Sequence, residues 1–213
     1  RVTWKNISSL VDHIEKTLGR KFRYYLFNNK INISISVMSD NGQNFEEVVS
    51  YNKKKIKYFD PMFLMDNTIT NDIAECREFK GVTSVRYGDG VKLNLIEPGT
   101  EVEHKIRINF SHVKKEVREW YSNNGNKSAG GTNLGQLYKN RNDINVTYPC
   151  ISVLRAEREI DHHNYGFVQM STGTKYEMER WFSVEVLIDT PASDWIFEID
   201  NRKQNAKIYQ LDE

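Results

Sequence analysis

The N-terminal part of the chain changes its hydrophobic period abruptly, and this change limits the folds it can adopt. From Ile7 to Phe27 the apolar residues recur mostly every three or four positions, the spacing of one buried stripe on an amphipathic helix. Gly19 lies inside this pattern and predicts a weak point of the helix. From Ile31 to Val37, isoleucine or valine alternates with asparagine or serine, which predicts a strand with one wet face.

The rest of the chain adds strands and turns. Predicted strands cover residues 53–59, 101–110, 150–154, 181–188 and 195–199, and a short helix covers 113–121. Strands outnumber helices, so the predicted fold class is α+β, with a mixed or mostly antiparallel sheet backed by helices, the helix at 7–27 included. Residues 122–145 are rich in Asn, Gly and Ser, and we expect a flexible loop between an N-terminal part, 1–121, and residues 146–213, which complete the same domain.

Composition excludes several classes of protein. The 213 residues, 38% of them hydrophobic, suffice for one large domain or two small ones with a real core. Because 30 Lys and Arg balance 29 Asp and Glu, charge as a whole does not favour a protein that coats polyanions. No apolar run approaches the ~20 residues that span a bilayer, so we expect no membrane partner. Two cysteines, Cys76 and Cys150, without a C-x-x-C pair favour a reducing, cytoplasmic location.

Two short motifs are compatible with chemistry but have simpler interpretations. Asp40-Asn41-Gly42 follows a strand and matches the first three places of an ATP-binding D-x-G-x-G, but the second glycine is missing, so a hairpin turn is favoured. Asp161-His162-His163 carries metal-capable side chains, yet neighbours on an extended chain point to opposite faces. We therefore expect no metal site in this chain.

Two basic clusters are candidate contacts for nucleic-acid phosphates. One consists of Lys53, Lys54, Lys55 and Lys57, and the other, interleaved with aromatic residues at 20–25, contains Arg20, Lys21 and Arg23. Each neutralised phosphate would add a salt-dependent increment of affinity. The alternative is a solvated strand edge, whose lysines discourage aggregation, and the wet side of a helix.

A polar segment lies near the end of the chain. Asn201 to Lys207 contains three cations and three amides directly after the apolar run 195–197. A loop that follows a strand can present a lysine to an anion, since the ammonium group is a point charge suited to a terminal phosphate. Composition alone favours the simpler interpretation, a polar exposed loop.

Five stretches carry a family resemblance through their order along the chain. They are Arg1-Val2-Thr3-Trp4, 13–20 with Arg23-Tyr24, Asp60-Pro61-Met62-Phe63-Leu64, 152–160, and 179–204 with Glu179-Arg180-Trp181-Phe182 at its start. Together they resemble the region after the nucleotide-binding domain of the GHKL ATPases, the superfamily of gyrase B, MutL, histidine kinases and heat-shock chaperones. The last stretch is similar to the E-R-W-W … N-N-K-Q pattern of bacterial stand-alone members.

The resemblance implies a transducer domain with the ribosomal S5 domain 2-like fold. In such domains a loop lysine contacts the terminal phosphate of ATP in the neighbouring ATPase domain. Lys203 is the matching position and the candidate catalytic residue, with Gln204 and Asn201 shaping the loop at 200–207. ATP and Mg²⁺ would be bound by the adjacent domain, so this chain alone would not be catalytic. Two positions depart from the family pattern, Arg202 for an Asn and Glu157 for a glycine, and a different local turn is expected at the latter.

The first hypothesis is therefore a transducer that couples ATP binding and hydrolysis to conformational change or dimerisation. The strand-like start at Arg1, without an initiator Met, predicts a fragment of a larger bacterial protein. Its expected partners are its own N-terminal ATPase domain and a second copy, and DNA under the second hypothesis, a nucleic-acid-binding module. By analogy, stand-alone bacterial relatives often accompany restriction or phage defence.

Overall fold

The chain has α+β structure with mostly antiparallel sheets and few helices. The computed structural model describes residues 6–40, 42–48, 53–65, 82–96, 99–124, 151–163, 182–188, 197–199 and 206–208. Two units are distinguished, residues 1–59 and 60–213. Of the predicted loop at 122–145, residues 122–124 end a helix, and 125–145 lie outside the described residues, as do Cys76 and Cys150.

The predicted N-terminal helix forms, in two pieces. Helix α1 spans Ile7–Lys21 and helix α2 spans Arg23–Phe27. Asn6 caps α1, because its side-chain oxygen accepts the Ser9 N–H at 2.8 Å. The interruption falls at Phe22, whose backbone leaves helical geometry, and Gly19 itself stays helical.

The alternating segment after these helices is paired over a shorter length than its pattern predicts. Strand β1 covers only Ser34–Ile35 and pairs antiparallel with β4, Lys54–Lys55. Residues 31–37 nevertheless alternate between half-buried aliphatic and exposed polar side chains, so the predicted wet and dry sides are confirmed. Strands β2, Met38–Asp40, and β3, Phe45–Glu47, form an antiparallel hairpin, and Gly42 N–H donates to the Asp40 carboxylate at 2.8 Å.

Gly19 is required by a close approach of two backbone segments. The Phe59 N–H donates to the Gly19 carbonyl at 3.0 Å, and a Cβ at position 19 would collide with the Lys57 carbonyl oxygen. The glycine that weakens α1 as a helix therefore allows the segment that contains Lys57 and Phe59 to lie directly against it.

The second unit contains a mixed six-stranded sheet. Its strands are β5 Ser84–Arg86, β6 Val91–Ile96, β7 Glu103–Val113, β8 Ile151–Arg155, β9 Arg158–His163 and β10 Phe182–Ile188. The order is β5–β7–β10–β8–β9, and β6 pairs with the same edge of β7 as β5. All pairs are antiparallel except β8 with β10. Strands β11, Phe197–Ile199, and β12, Ala206–Ile208, form a separate antiparallel pair.

The described parts of the strands predicted at 101–110, 150–154, 181–188 and 195–199 lie in β7, β8, β10 and β11, except that β7 begins at Glu103 and extends to Val113. The predicted helix at 113–121 begins later, because Val113 still belongs to β7 and helix α3 spans Lys115–Asn124. The returning strand predicted at 53–59 is reduced to β4, Lys54–Lys55, although the Ile56 N–H still donates to the Ile33 carbonyl at 2.9 Å.

The two faces of the six-stranded sheet differ in chemistry. One face carries the aliphatic core, with Ile106, Val153, Val184 and Ile188 each less than 9% exposed. The opposite face carries a cluster of buried polar side chains beside apolar ones, with Asn109, Ser111, Ser183 and Glu185 each at 5% exposure or less. Each buried polar group on this face therefore needs a hydrogen-bond partner.

A loop that starts at Asp60 supplies part of those partners. The Asp60 carboxylate accepts the backbone N–H groups of Met62, Leu64 and Met65 at 2.9–3.2 Å, which fixes the loop. The Ser111 hydroxyl donates to the Met62 carbonyl at 2.9 Å, and the Ser183 hydroxyl donates to the Pro61 carbonyl at 2.8 Å. Small hydroxyl side chains on β7 and β10 thus let the loop backbone approach the sheet.

Strands β8 and β9 are joined by a two-residue turn, Ala156-Glu157, with Arg155 opposite Arg158. Both turn residues have positive φ, 48° for Ala156 and 62° for Glu157. This is the backbone that two-residue hairpins favour and that L-residues other than Asn and Asp seldom adopt. Position 157 is the one at which the resembled family has glycine.

Gly19→Ala should destabilise the first unit by about 1–3 kcal/mol, because the new methyl group meets backbone rather than a side chain that can turn away. Without this collision, replacing glycine by alanine would be expected to stabilise the helix by up to ~1 kcal/mol. Urea unfolding followed by helical circular dichroism measures the difference. Ser8→Ala, at an exposed position of α1, is the matched control and should be neutral or slightly stabilising. Equal stabilisation by both substitutions would refute the close approach.

Glu157→Gly should raise the free energy of unfolding by about 0.5–1 kcal/mol, since glycine adopts positive φ without the cost paid by other residues. Thermal or urea unfolding of the two proteins tests this. Glu157→Ala removes the same carboxylate but keeps the backbone cost, and should give no gain. If the alanine variant is stabilised as much as the glycine variant, the effect comes from charge rather than backbone.

Candidate functional site

The predicted phosphate-contacting residues Lys203, Gln204 and Asn201 lie outside the described residues. The strands on either side of them are described, and β11 pairs with β12 so that Ile199 stands opposite Ala206. The chain from 200 to 205 therefore connects the adjacent ends of two antiparallel strands. The predicted loop 200–207 is shorter than expected, because Ala206 and Lys207 belong to β12.

The basic cluster at 53–57 is divided by its contacts. Lys54 Nζ lies 2.6 Å from Glu15 Oε2 and 3.7 Å from Asp12 Oδ1, both on α1. The hydrogen bond to Glu15 raises the pKa of Lys54 above its ordinary value. Burial, the second-largest effect, lowers the pKa, and the charges of Glu15 and Asp12 raise it further. The positive charge of Lys54 is thus largely compensated by carboxylates of its own unit. Ile56, two residues on, is 2% exposed and belongs to the core.

The three remaining lysines of the cluster face solvent. Lys53, Lys55 and Lys57 are exposed, and within the described part of the chain no ion pair involves their ammonium groups. Lys53 has a positive φ of 48°, and its backbone N–H donates to the Ser36 hydroxyl at 3.2 Å. These three cations are available to an anionic partner.

Two of the three cations of the second basic cluster are buried. Arg23 is fully buried and Arg20 is 6% exposed, so neither guanidinium is on a wet helix face or open to a nucleic acid. Arg23 Nη1 donates to the Arg20 carbonyl at 3.1 Å, and its guanidinium lies 5.4 Å from the centre of the Tyr24 ring. Lys21 is half-buried. Arg23 lies four residues after Gly19 and three before Leu26, and all three are buried.

A buried polar chain crosses the second unit, and the sequence analysis does not identify it. Arg86 Nη1 donates to Asn109 Oδ1 at 3.0 Å, and Asn109 Nδ2 donates to Glu185 Oε1 at 2.9 Å. Glu185 is fully buried, whereas Arg86 is exposed. The sequence gives no signal of this burial, because Asn109 and Glu185 each lie between two apolar residues, where alternation predicts the wet face of a strand. The chain links a buried carboxylate to a cation at the surface.

The predicted segment Asp161-His162-His163 lies on a strand. These residues lie on β9, where Asp161 and His162 occupy opposite faces. His162 Nδ1 lies 3.3 Å from Glu159 Oε1, which gives this imidazole a carboxylate neighbour. Among the residues that the structure describes, no three His, Cys, Asp or Glu side chains converge as metal ligands do.

An open cavity of about 550 Å³ lies beside the turn between β5 and β6. Its lining is mostly apolar and includes Tyr87, Val91, Phe110 and Phe182. Tyr87 packs edge-on against His112, with ring centres 6.1 Å apart. This volume is in the range of small-molecule pockets, but its polar residues form no nucleophile–base pair among the described contacts.

No family model, curated protein or solved structure matches this chain. The resemblance to GHKL ATPases accordingly stays a prediction that depends on the quoted motifs. Of the described helices, none has the length and apolar character needed to cross a membrane.

Proposed function

We propose that this chain is the transducer region of a GHKL-type ATPase, with an S5 domain 2-like arrangement of its sheet and helices. In this proposal the neighbouring ATPase domain binds ATP and Mg²⁺, and the present chain converts occupancy of that site into movement or dimerisation. The observation that carries it is the pairing of β11 with β12, which makes the Lys203 segment the connection of a hairpin.

The hairpin supports the proposal through geometry. A short connection between paired strands is held at both ends, so a lysine within it can be positioned against a phosphate of another domain with little loss of entropy. The mixed sheet of the second unit, with its buried polar contacts, supplies a rigid body to which such movement can be transmitted. Asn201 and Gln204 supply amides next to Lys203 that can hydrogen-bond the loop backbone.

The proposed chemistry is electrostatic. An ammonium group at the terminal phosphate of ATP stabilises negative charge as the phosphoryl group is transferred, and it senses whether that phosphate is present. After hydrolysis the contact is lost, and the transducer is released from the ATPase domain. Lys203 therefore acts both in turnover and as the switch.

Lys203→Ala in the intact ATPase should lower the turnover number by about 10²-fold or more, the usual loss for one donor at a developing charge. Steady-state phosphate release measures this at saturating ATP. Lys207→Ala is the matched control, because Lys207 lies on β12 in the same hairpin and should leave turnover unchanged. Lys203→Arg should restore part of the activity. Unchanged turnover in Lys203→Ala defeats the assignment.

Nucleic-acid binding is the second candidate, and the exposure of Lys53, Lys55 and Lys57 favours it. Arg20 and Arg23 are buried, and Lys54 is paired with Glu15. A nucleic-acid interface would therefore be confined to those three lysines and the half-buried Lys21. With so few contacts the interaction is weak and steeply dependent on salt.

Changing Lys53, Lys55 and Lys57 together to Gln should reduce the slope of log K against log salt for duplex DNA by about 0.9 for each lost phosphate contact. A salt-titrated anisotropy assay on the chain provides the slopes. Lys54→Gln is the control and should change the slope less, because Glu15 already neutralises Lys54. Absence of binding at low salt removes this candidate.

A further inference from the structure

Strand β6 is an exposed edge of the six-stranded sheet. Its six residues pair with β7 on one side, and among the described residues no strand pairs with its other side. Every β6 side chain except that of Leu95 is exposed. Protein sheets usually shorten, cover or bulge such edges, because a row of free N–H and C=O groups is a template for another strand.

The side chains of β6 are sorted by face. Val91, Leu93 and Leu95 share the aliphatic face of the sheet, and Val91 and Leu93 are 44% and 40% exposed. This row continues into the apolar cavity, of which Val91 forms part of the wall. Lys92 and Asn94 point to the opposite face, as alternate residues of a strand must.

The opposite face concentrates positive charge at this edge. Lys92 stands directly opposite Arg107, and Asn94 stands opposite Lys105, whereas Ile96 stands opposite Glu103, so this face carries one acid at the far end of β6. Like charges at directly opposed positions destabilise a sheet. Within the described part of the chain, no ion pair involves the charged groups of Lys92, Lys105 or Arg107. Arg86, held by Asn109, adds a further cation to this face.

We propose that the β6 edge binds an extended polypeptide segment whose side chains alternate between acidic and apolar. The segment adds a strand beside β6, and its backbone pairs with the free groups of the edge. Its acidic side chains lie next to Lys92 and Asn94 and neutralise the charge shared with Arg107. Its apolar side chains extend the row formed by Val91, Leu93 and Leu95.

Charge complementarity selects this occupant over a second copy of the chain. If two β6 edges paired about a two-fold axis normal to the sheet, both cationic rows would lie on the same side and repel each other. Nucleic acid fits less well, because it offers no strand for the free backbone groups. Moreover, the described residues of β5, β6 and β7 on this face include no aromatic side chain on which a base could stack.

The test uses the full chain and a fluorescent six-residue peptide of alternating Glu and Val, with anisotropy as the readout. The scrambled peptide, with its three Glu before its three Val, and the Lys–Val alternating peptide should each bind about tenfold or more weakly. Two N-methylated isomers of the alternating Glu–Val peptide, blocked at alternate amides, test whether the peptide binds as an added strand. Only the isomer blocked on the side that pairs with β6 should lose affinity.

The variant Lys92→Glu with Arg107→Glu should reverse the preference, so that the Lys–Val peptide becomes the tighter ligand by about tenfold. Lys55→Glu is the control for charge alone and should not alter the preference, and circular dichroism verifies folding. Equal affinity for the alternating and scrambled peptides, or equal loss for both N-methylated isomers, overturns the proposal. The proposal is also overturned if single-stranded DNA abolishes peptide binding at a lower concentration than the peptide itself needs to bind. It is overturned as well if sedimentation detects self-association through β6 that the double variant loses.

Discussion

The antiparallel pairing of β7 with β10 is the contact on which the second unit depends. Seven residue pairs align along it, and every other strand of the six-stranded sheet attaches to one of these two strands or, for β9, to β8. At its centre Asn109 donates to the buried Glu185, a hydrogen bond between residues 76 positions apart. Because burying a carboxylate without hydrogen bonds is costly, this bond favours the observed register of the two strands.

The same pairing determines where the surface chemistry lies. The register places serines beneath the Asp60 loop, a polar chain from Glu185 to Arg86, and exposed cations beyond it at the β6 edge. Burial and charge are thus arranged along one face, from a covered interior to an open rim. The proposed strand addition uses that rim, whereas the proposed ATPase contact uses the β11–β12 hairpin, so the two proposals require different surfaces.

Local patterns predict the elements that have strong periodicity. Residues that are near neighbours in the sequence are enough to predict the apolar stripe of α1 and α2 and the alternation at 31–37. They also predict the strands β7, β8 and β10. The sequence analysis does not predict β5, β6 or β9 as sheet strands. Apolar and polar residues alternate in β6 from Val91 to Leu95, but the strand lies between Gly-containing turns. Its partner β7 has to be known before the alternation implies pairing.

The fate of the basic residues cannot be read from the same patterns. Residue type alone does not distinguish Arg20, Arg23 and Lys54 from the exposed Lys53. In the structure, Arg20 and Arg23 are buried and Lys54 is bound to Glu15. Helical and strand periods, turn chemistry and the α+β class are properties of short windows, because backbone propensity acts over a few residues. Which cations remain free, why Gly19 is needed, and which strand is left as an edge depend on groups brought together from distant positions, and folding alone establishes those contacts.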